Sequence, residues 1–287
     1  MHLILTGATG LVGSGVLDAM LAMPEITRIS ILSRRPVPQL EARVQARDPL
    51  VVADPARVQV LQHTDFATYS DAVLESLRGA TGVVWALGIS QTAVSKEDYV
   101  TITYDYPLAA AKAFQRIPQD NKDAQRQPFR FVYVSGEGAT ATPGPLTTLY
   151  GRVKGETETA LAKLTNDSSS NNNSNNALVG VSVRPAAVDA THHPAIQPYV
   201  PQLSLAFRAL RVVVLPALRT VYSAMISPTR PLGQFLAEVA MGKHDDRING
   251  AAAVPGVEHM GKFAIVSNVA FRRIAGLDGR GQGNGKI

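Results

Sequence analysis

The sequence predicts an α/β protein: a doubly wound parallel sheet of six or seven strands with a small C-terminal substrate lobe. Three observations lead there. Short apolar runs alternate with longer segments of helical periodicity, the pattern of strand–helix–strand units. A length of 287 residues suits one such domain, here taken as residues 1–287. Three glycines, Gly7, Gly10 and Gly13, follow the first apolar run and open the first helical segment.

The elements follow in chain order. His2-Leu3-Ile4-Leu5 opens a strand over 2–6, and Val12, Val16, Ala19 and Met20 share one face of a helix over 11–22. Further strands are expected near 27–32, 57–62, 82–87, 129–134 and 177–183, with helices near 68–78, 97–116 and 148–165. Residues 166–176 read NDSSSNNNSNN, a polar low-complexity insertion expected to be disordered. After the sixth strand, 185–226 is rich in proline and apolar residues and reads as a lobe over the C-terminal edge of the sheet, where this fold class holds its substrate. Helices near 230–241 and 259–275 should pack back on the core, and the glycine-rich tail 276–287 should be flexible.

Composition removes several function classes. The chain has no cysteine, which excludes disulfides, thiolate metal sites and a cysteine nucleophile. Its net charge of +5 comes from scattered basic residues without the aromatic interleaving of a nucleic-acid surface, so no nucleic-acid partner is expected. The apolar stretch 203–226 carries Arg208, Arg211, Pro216 and Arg219, which argues against a stable membrane span and leaves room only for peripheral contact. A cytoplasmic protein is the expectation, with a homodimer left open. His192 and His193 are adjacent and lack a third ligand at metal-binding spacing, so no metal is expected.

The strongest motif is Gly7-Ala8-Thr9-Gly10-Leu11-Val12-Gly13. Gly7 permits a tight turn, Gly10 lets backbone approach a pyrophosphate, and Gly13 allows helix and strand to pack closely. The helix beyond offers free N–H groups and the positive end of its dipole, so the loop is built to hold a dinucleotide in a Rossmann-type site. After the second strand stand Ser33, Arg34 and Arg35, where an acidic residue would bind the ribose 2′-hydroxyl of NAD. Arginine suits the 2′-phosphate of NADP, so NADP(H) is favoured over NAD(H). Asp65 and Phe66, after the third strand, are candidates for the adenine, with a structural Asx turn as the equal alternative.

At the other end of the cofactor, Tyr150 and Lys154 lie four apart on one helix face. Tyrosine titrates near pH 10 in isolation, and a neighbouring ammonium favours its phenolate, so Lys154 is expected to lower the pKa of Tyr150. Lys154 can also bond the nicotinamide ribose. Ser135 ends the fifth strand and can hydrogen-bond a substrate carbonyl.

Together these residues resemble the short-chain dehydrogenase/reductase superfamily. GATGLVGSGVL, the arginine pair, Leu87-Gly88, VSGEGA, YGRVKGETE and Arg184-Pro185 are most similar to its atypical or extended branch, in particular the Tat-interacting-protein-like oxidoreductases, with the nucleoside-diphosphate-sugar epimerase-like proteins as a broader match. The resemblance covers about residues 1–190. It implies that Tyr150 is the general acid/base, that Ser135 orients substrate, and that Pro185 borders the nicotinamide. It also implies that Ala86, Leu87 and Gly88 line the cofactor. The chain departs from the pattern in lacking the Asn-Ala-Gly turn of many members at the fourth strand.

The function expected is an NADP-dependent oxidoreductase acting on a carbonyl or alcohol of a small, fairly hydrophobic molecule. Two rivals stand beside it. One is a cofactor-binding regulatory protein, because Leu203, Phe207, Leu210, Val214 and Val221 oppose Arg208, Arg211 and Arg219 on a would-be amphipathic helix. The other is a non-redox epimerase or isomerase with tightly held NAD. Trp85, the single tryptophan, is expected in the fourth strand near the nicotinamide.

Overall fold

β1 (His2–Thr6) is buried from end to end, and its side chains alternate between two cores. Leu3 and Leu5 enter one hydrophobic cluster and Ile4 the other, as strand alternation requires of a sheet covered on both faces. The computed structural model describes residues 1–119, 128–170, 177–200, 223–250 and 252–278.

The remaining strands are β2 (Arg28–Ser33), β3 (Val58–Gln62), β4 (Ala80–Trp85), β5 (Phe129–Val134), β6 (Leu178–Arg184), β7 (Ala187–Asp189), β8 (Ile226–Pro228), β9 (Val257–Met260) and β10 (Phe263–Ser267). Eight form one sheet in the order β3-β2-β1-β4-β5-β6-β10-β9, parallel except for β9, while β7 and β8 pair separately. The strand order reverses at β1 and β4, and the crevice beyond their C-terminal ends is where this topology places a ligand.

The helices are α1 (Leu11–Ala22), α2 (Pro38–Gln45), α3 (Pro49–Val52), α4 (Asp71–Ser76), α5 (Lys96–Val100), α6 (Tyr106–Phe114), α7 (Leu149–Ser170), α8 (Thr229–Ala240), α9 (Asp245–Ile248) and α10 (Asn268–Ile274). A π-helical segment, Thr101–Asp105, joins α5 to α6, so the helix expected over 97–116 is continuous but locally widened. On one face α1 and α8 cross at Gly15 and Gly233; a Cβ on Gly15 would come within 2.9 Å of the Thr229 carbonyl oxygen. Val16, Met20, Phe235 and Phe271 fill the core beneath them. Ile4, Trp85, Phe114, Phe131 and Leu161 fill the other face, under α4, α6 and α7.

Three expectations change. The helix expected over 259–275 is a β-hairpin followed by α10, which makes the main sheet eight strands rather than six or seven. Phe263-Ala-Ile-Val266 is buried throughout and pairs with β6 on one side and β9 on the other, while Gly261, at φ +67°, turns the hairpin. The helix begins only where the Ser267 hydroxyl accepts from Ala270 N. Next, the polar stretch 166–176 starts as the end of α7: Asn166 donates to Met260 O and accepts from Lys262 N, which ties helix to hairpin turn. Residues 171–176 lie outside the described residues. So do 201–222, which hold most of the expected lobe and its amphipathic pattern, and 279–287 of the tail. Finally, Trp85 ends β4 as expected but packs fully buried between Phe66 and Phe131 rather than facing the crevice.

Candidate functional site

The glycine loop leaves β1 at Gly7, whose φ of +71° is a left-handed value that suits glycine. A Cβ there would overlap the Ala86 carbonyl and reach 2.7 Å from Leu87 N, so the turns after β1 and β4 touch. A Cβ on Gly13 would overlap the Gly7 carbonyl, so α1 lies directly on the turn. Gly10 N donates to Gly7 O at 2.8 Å and Leu87 N to the Thr6 hydroxyl at 3.3 Å, which fixes both turns. Gly10 is the N-cap of α1 and provides no side-chain cap, so the first-turn N–H groups remain open to an anion. Thr9, Leu11 and Val12 are partly exposed around this opening, and Gly88 faces open space.

Beyond β2, the Ser33 hydroxyl donates to Arg35 O and accepts from Arg35 N, so it shapes the turn itself. Arg34 and Arg35 are exposed, and neither guanidinium has an ion pair or hydrogen bond among the described residues. Both are therefore available to a phosphate at this edge. After β3, Asp65 takes the structural alternative: its carboxylate accepts from Ala67 N and the Thr68 hydroxyl, which hold it below the usual carboxylate range. The Phe66 side chain is 1% exposed and packs against Trp85, so only its backbone is left to meet an adenine.

The reacting end forms where α7 lies against the loop after β5. A Cβ on Gly136 would overlap the Tyr150 hydroxyl and lie 3.1 Å from Tyr150 Cζ. Cβ atoms on Gly151 and Gly155 would overlap the carbonyls of Gly138 and Thr140. Glycine on both surfaces thus brings the Tyr150 phenol beside Ser135-Gly136. Ser135 N bonds Val183 O and Glu137 N bonds Pro185 O, so the loop is also stitched to the end of β6. The Ser135 hydroxyl is buried with no hydrogen-bond partner, a costly state that a ligand oxygen would relieve. Lys154 Nζ donates to Val134 O at 3.0 Å and sits 5.6 Å from the Tyr150 ring centre.

The electrostatics differ from expectation. Burial pushes Tyr150 up to about 12, and Tyr99, Glu158 and Glu137 push the same way, while Arg184 opposes them. Burial outweighs the lowering expected from Lys154, whose ammonium donates to Val134 O and whose own pKa enclosure brings down to about 8 against the pull of Glu158. Tyr150 is therefore a protonated phenol throughout the neutral range.

Several contributors were not foreseen. Gly136 is required by close approach, and Gln91 accepts from Tyr150 N at 2.9 Å. Tyr99 is fully buried in α5. Glu158 holds Arg184 through paired hydrogen bonds and accepts from the Ser182 hydroxyl. Of these, Glu158 was readable as the next residue, after Tyr150 and Lys154, on one face at four-residue spacing; the others depend on contacts between distant segments.

The open helix N-terminus, the glycine cradle, and, without partners among the described residues, two arginines and a serine hydroxyl follow the C-terminal ends of the neighbouring strands β2, β1, β4, β5 and β6. These residues fit a dinucleotide with its phosphates at α1 and its reactive ring beside Ser135 and Tyr150.

No family model matches the chain. It is 34% identical over 267 residues to leucinostatins biosynthesis cluster protein T of Purpureocillium lilacinum, covering 89% of this chain and 90% of that protein. It is 46% identical over 170 residues to botcinic acid biosynthesis cluster B protein 16 of Botryotinia fuckeliana (strain B05.10), covering 59% of this chain and 98% of that protein. Its fold is similar to that of a short chain dehydrogenase/reductase family oxidoreductase from Burkholderia thailandensis, with a TM-score of 0.57 and 13% identity over 93% of this chain and 90% of that one. Among the described residues no helix is long and apolar enough to cross a membrane.

Proposed function

We propose that this chain, which belongs to the same family as leucinostatins biosynthesis cluster protein T, is an NAD(P)-binding oxidoreductase of the short-chain dehydrogenase/reductase type that reduces a carbonyl of a small, largely apolar molecule with NADPH. The observation that carries the proposal is the meeting of the Tyr150 hydroxyl with Ser135-Gly136 at the end of β5, beside Pro185. When bound, the cofactor supplies the hydride.

The chain's residues do the rest. Gly7 and Gly13 let the turn after β4 and α1 pack against the loop, Gly10 lets backbone approach the pyrophosphate, and the open N–H groups of α1 hold it. Arg34 and Arg35 meet the 2′-phosphate, which is the source of the NADPH preference. The Ser135 hydroxyl bonds the substrate carbonyl oxygen and Tyr150 gives that oxygen its proton. At neutral pH the Tyr150 phenol, raised by burial, is protonated and so carries the proton that the carbonyl oxygen takes. Lys154, fixed by Val134 O, holds the ribose. Both relatives are named for biosynthesis clusters, which suits a reduction that tailors a product of such a cluster.

The test is a fluorescence titration with Trp85 as donor, since it ends β4 directly below the crevice. NADPH should give saturable energy transfer and bind tighter than NADH. Arg34→Ala should weaken NADPH by about 10-fold or more and leave NADH nearly unchanged, the loss of one charge-assisted contact. Equal weakening of both would overturn the 2′-phosphate assignment.

A further inference from the structure

A cavity of about 320 Å³ opens beside the site, between the β7–β8 pair and the first turn of α8. Ile226, Pro228 and Pro231 give it an apolar wall. Its charged lining is mostly cationic. Arg230 and His192 are exposed, and neither has a partner among the described residues. Arg272 is 6% exposed and held in place by an ion pair from Nε to Asp278 and by Nη1 on Ile226 O, which leaves Arg230 as the arginine of the lining without a partner among the described residues. The one lining carboxylate, Asp189, is occupied by Thr191 N and the Thr191 hydroxyl. α8 begins at Pro228 without a side-chain cap and without an acidic residue in its first turn, so its positive end adds to the same field.

The floor is preorganised. His193 Nδ1 meets the Thr229 hydroxyl at 3.0 Å and Nε2 meets Asp18 at 2.9 Å, and Asp18 is held in turn by Arg43. Both imidazole nitrogens are engaged, so His193 shapes the cavity and leaves recognition to Arg230 and His192.

The cavity also lies within reach of the reacting end. β7 starts two residues after Pro185, and Asp189 is four residues from it, a chain path of at most about 13 Å. Ala186 N donates to the Ser227 hydroxyl, which ties that path to β8.

We propose that this cavity takes the carboxylate of a small carboxylic-acid substrate whose carbonyl is reduced at Tyr150, a reading that rests on the function proposed above. Arg230, His192 and α8 hold the carboxylate, the apolar wall takes the adjoining methylene groups, and the carbon chain runs past Pro185 towards Ser135.

The experiment separates this inference from the function it rests on. Octanoate and octanamide are titrated by calorimetry into the full chain, with NADPH as a control for the intact fold. Octanoate should bind at least about 10-fold tighter than its uncharged amide, and Arg230→Gln and His192→Ala should each remove much of that difference while NADPH binding stays unchanged. In turnover, an oxo fatty acid should exceed its methyl ester in kcat/KM by a similar factor, and the ratio should fall towards one in Arg230→Gln. Equal binding of octanoate and octanamide, or an octanoate affinity unmoved in both variants, would overturn the inference even where carbonyl turnover persists. Loss of NADPH binding and of all carbonyl turnover would instead overturn the proposed function, and octanoate binding is read independently of either.

Discussion

Gly136→Ala tests the placement of the Tyr150 hydroxyl through a single methyl group. The new Cβ would overlap the phenol oxygen, and 3.1 Å to Cζ leaves the ring no slack. Restoring van der Waals distance requires the hydroxyl to retreat by about 1.5 Å. Overpacking of this kind costs about 1–3 kcal/mol, or roughly 2–9 °C in Tm for a domain of this size. A displacement above 1 Å at a reacting group costs about 100-fold in turnover. The decisive assay is a double-mutant cycle on stability by urea unfolding. In a Tyr150→Phe background the overlapping oxygen is gone, so Gly136→Ala should cost at least about 1 kcal/mol less than in the wild type. Equal cost in both backgrounds would show that the hydroxyl does not lie against Gly136, and the assembly of the reacting end would be refuted.

Three other outcomes follow from the same geometry. Lys154 titrates near 8 in the folded chain and near 10.5 unfolded, so between those values the unfolded state binds more protons and stability rises with pH. The penalty is fully present below about pH 8; Lys154→Met should therefore be relatively most stabilising there and lose up to about 3 kcal/mol of that advantage by pH 10.5, as read from urea midpoints. Arg57 donates to the carbonyls of Met20 and Leu21 in the last turn of α1 and of Met23 and Ile26 beyond it, so Arg57→Ala should cost about 2–3 kcal/mol in chemical unfolding with little change in NADPH affinity. Gly13→Val should abolish binding of both NADPH and NADH by calorimetry, because even a Cβ there overlaps the Gly7 carbonyl and α1 must lift from the loop.

The parallel core was legible because its signals are local. β1 and β5 carry apolar runs bounded by turn residues, and the glycine loop sits where strand passes to helix. The C-terminal hairpin was not, because Phe263-Ala-Ile-Val266 is short and fully buried, and periodicity alone does not separate such a strand from a buried helix turn. Gly261, at positive φ, was the available signal against a continuous helix over that span. The site divides in the same way. Tyr150, Lys154 and Ser135 carry recognisable spacing. That Gly136 must be glycine and that Tyr150 is raised rather than lowered both depend on which distant segments meet. The α1 signal needed no such knowledge, since an uncapped helix start set among three glycines spaced three apart has one main use in this topology.

The most direct test of the central claim is the carbonyl-dependent oxidation of NADPH by wild type and Tyr150→Phe, each first shown to bind the cofactor, against a panel of apolar ketones and oxo acids. The account predicts turnover by the wild type and a loss of about 100- to 10,000-fold in kcat on removing the phenol, with NADPH affinity kept. A Tyr150→Phe variant that reduces substrate at the wild-type rate would contradict it, as would a wild type that binds NADPH yet oxidises it with no member of the panel.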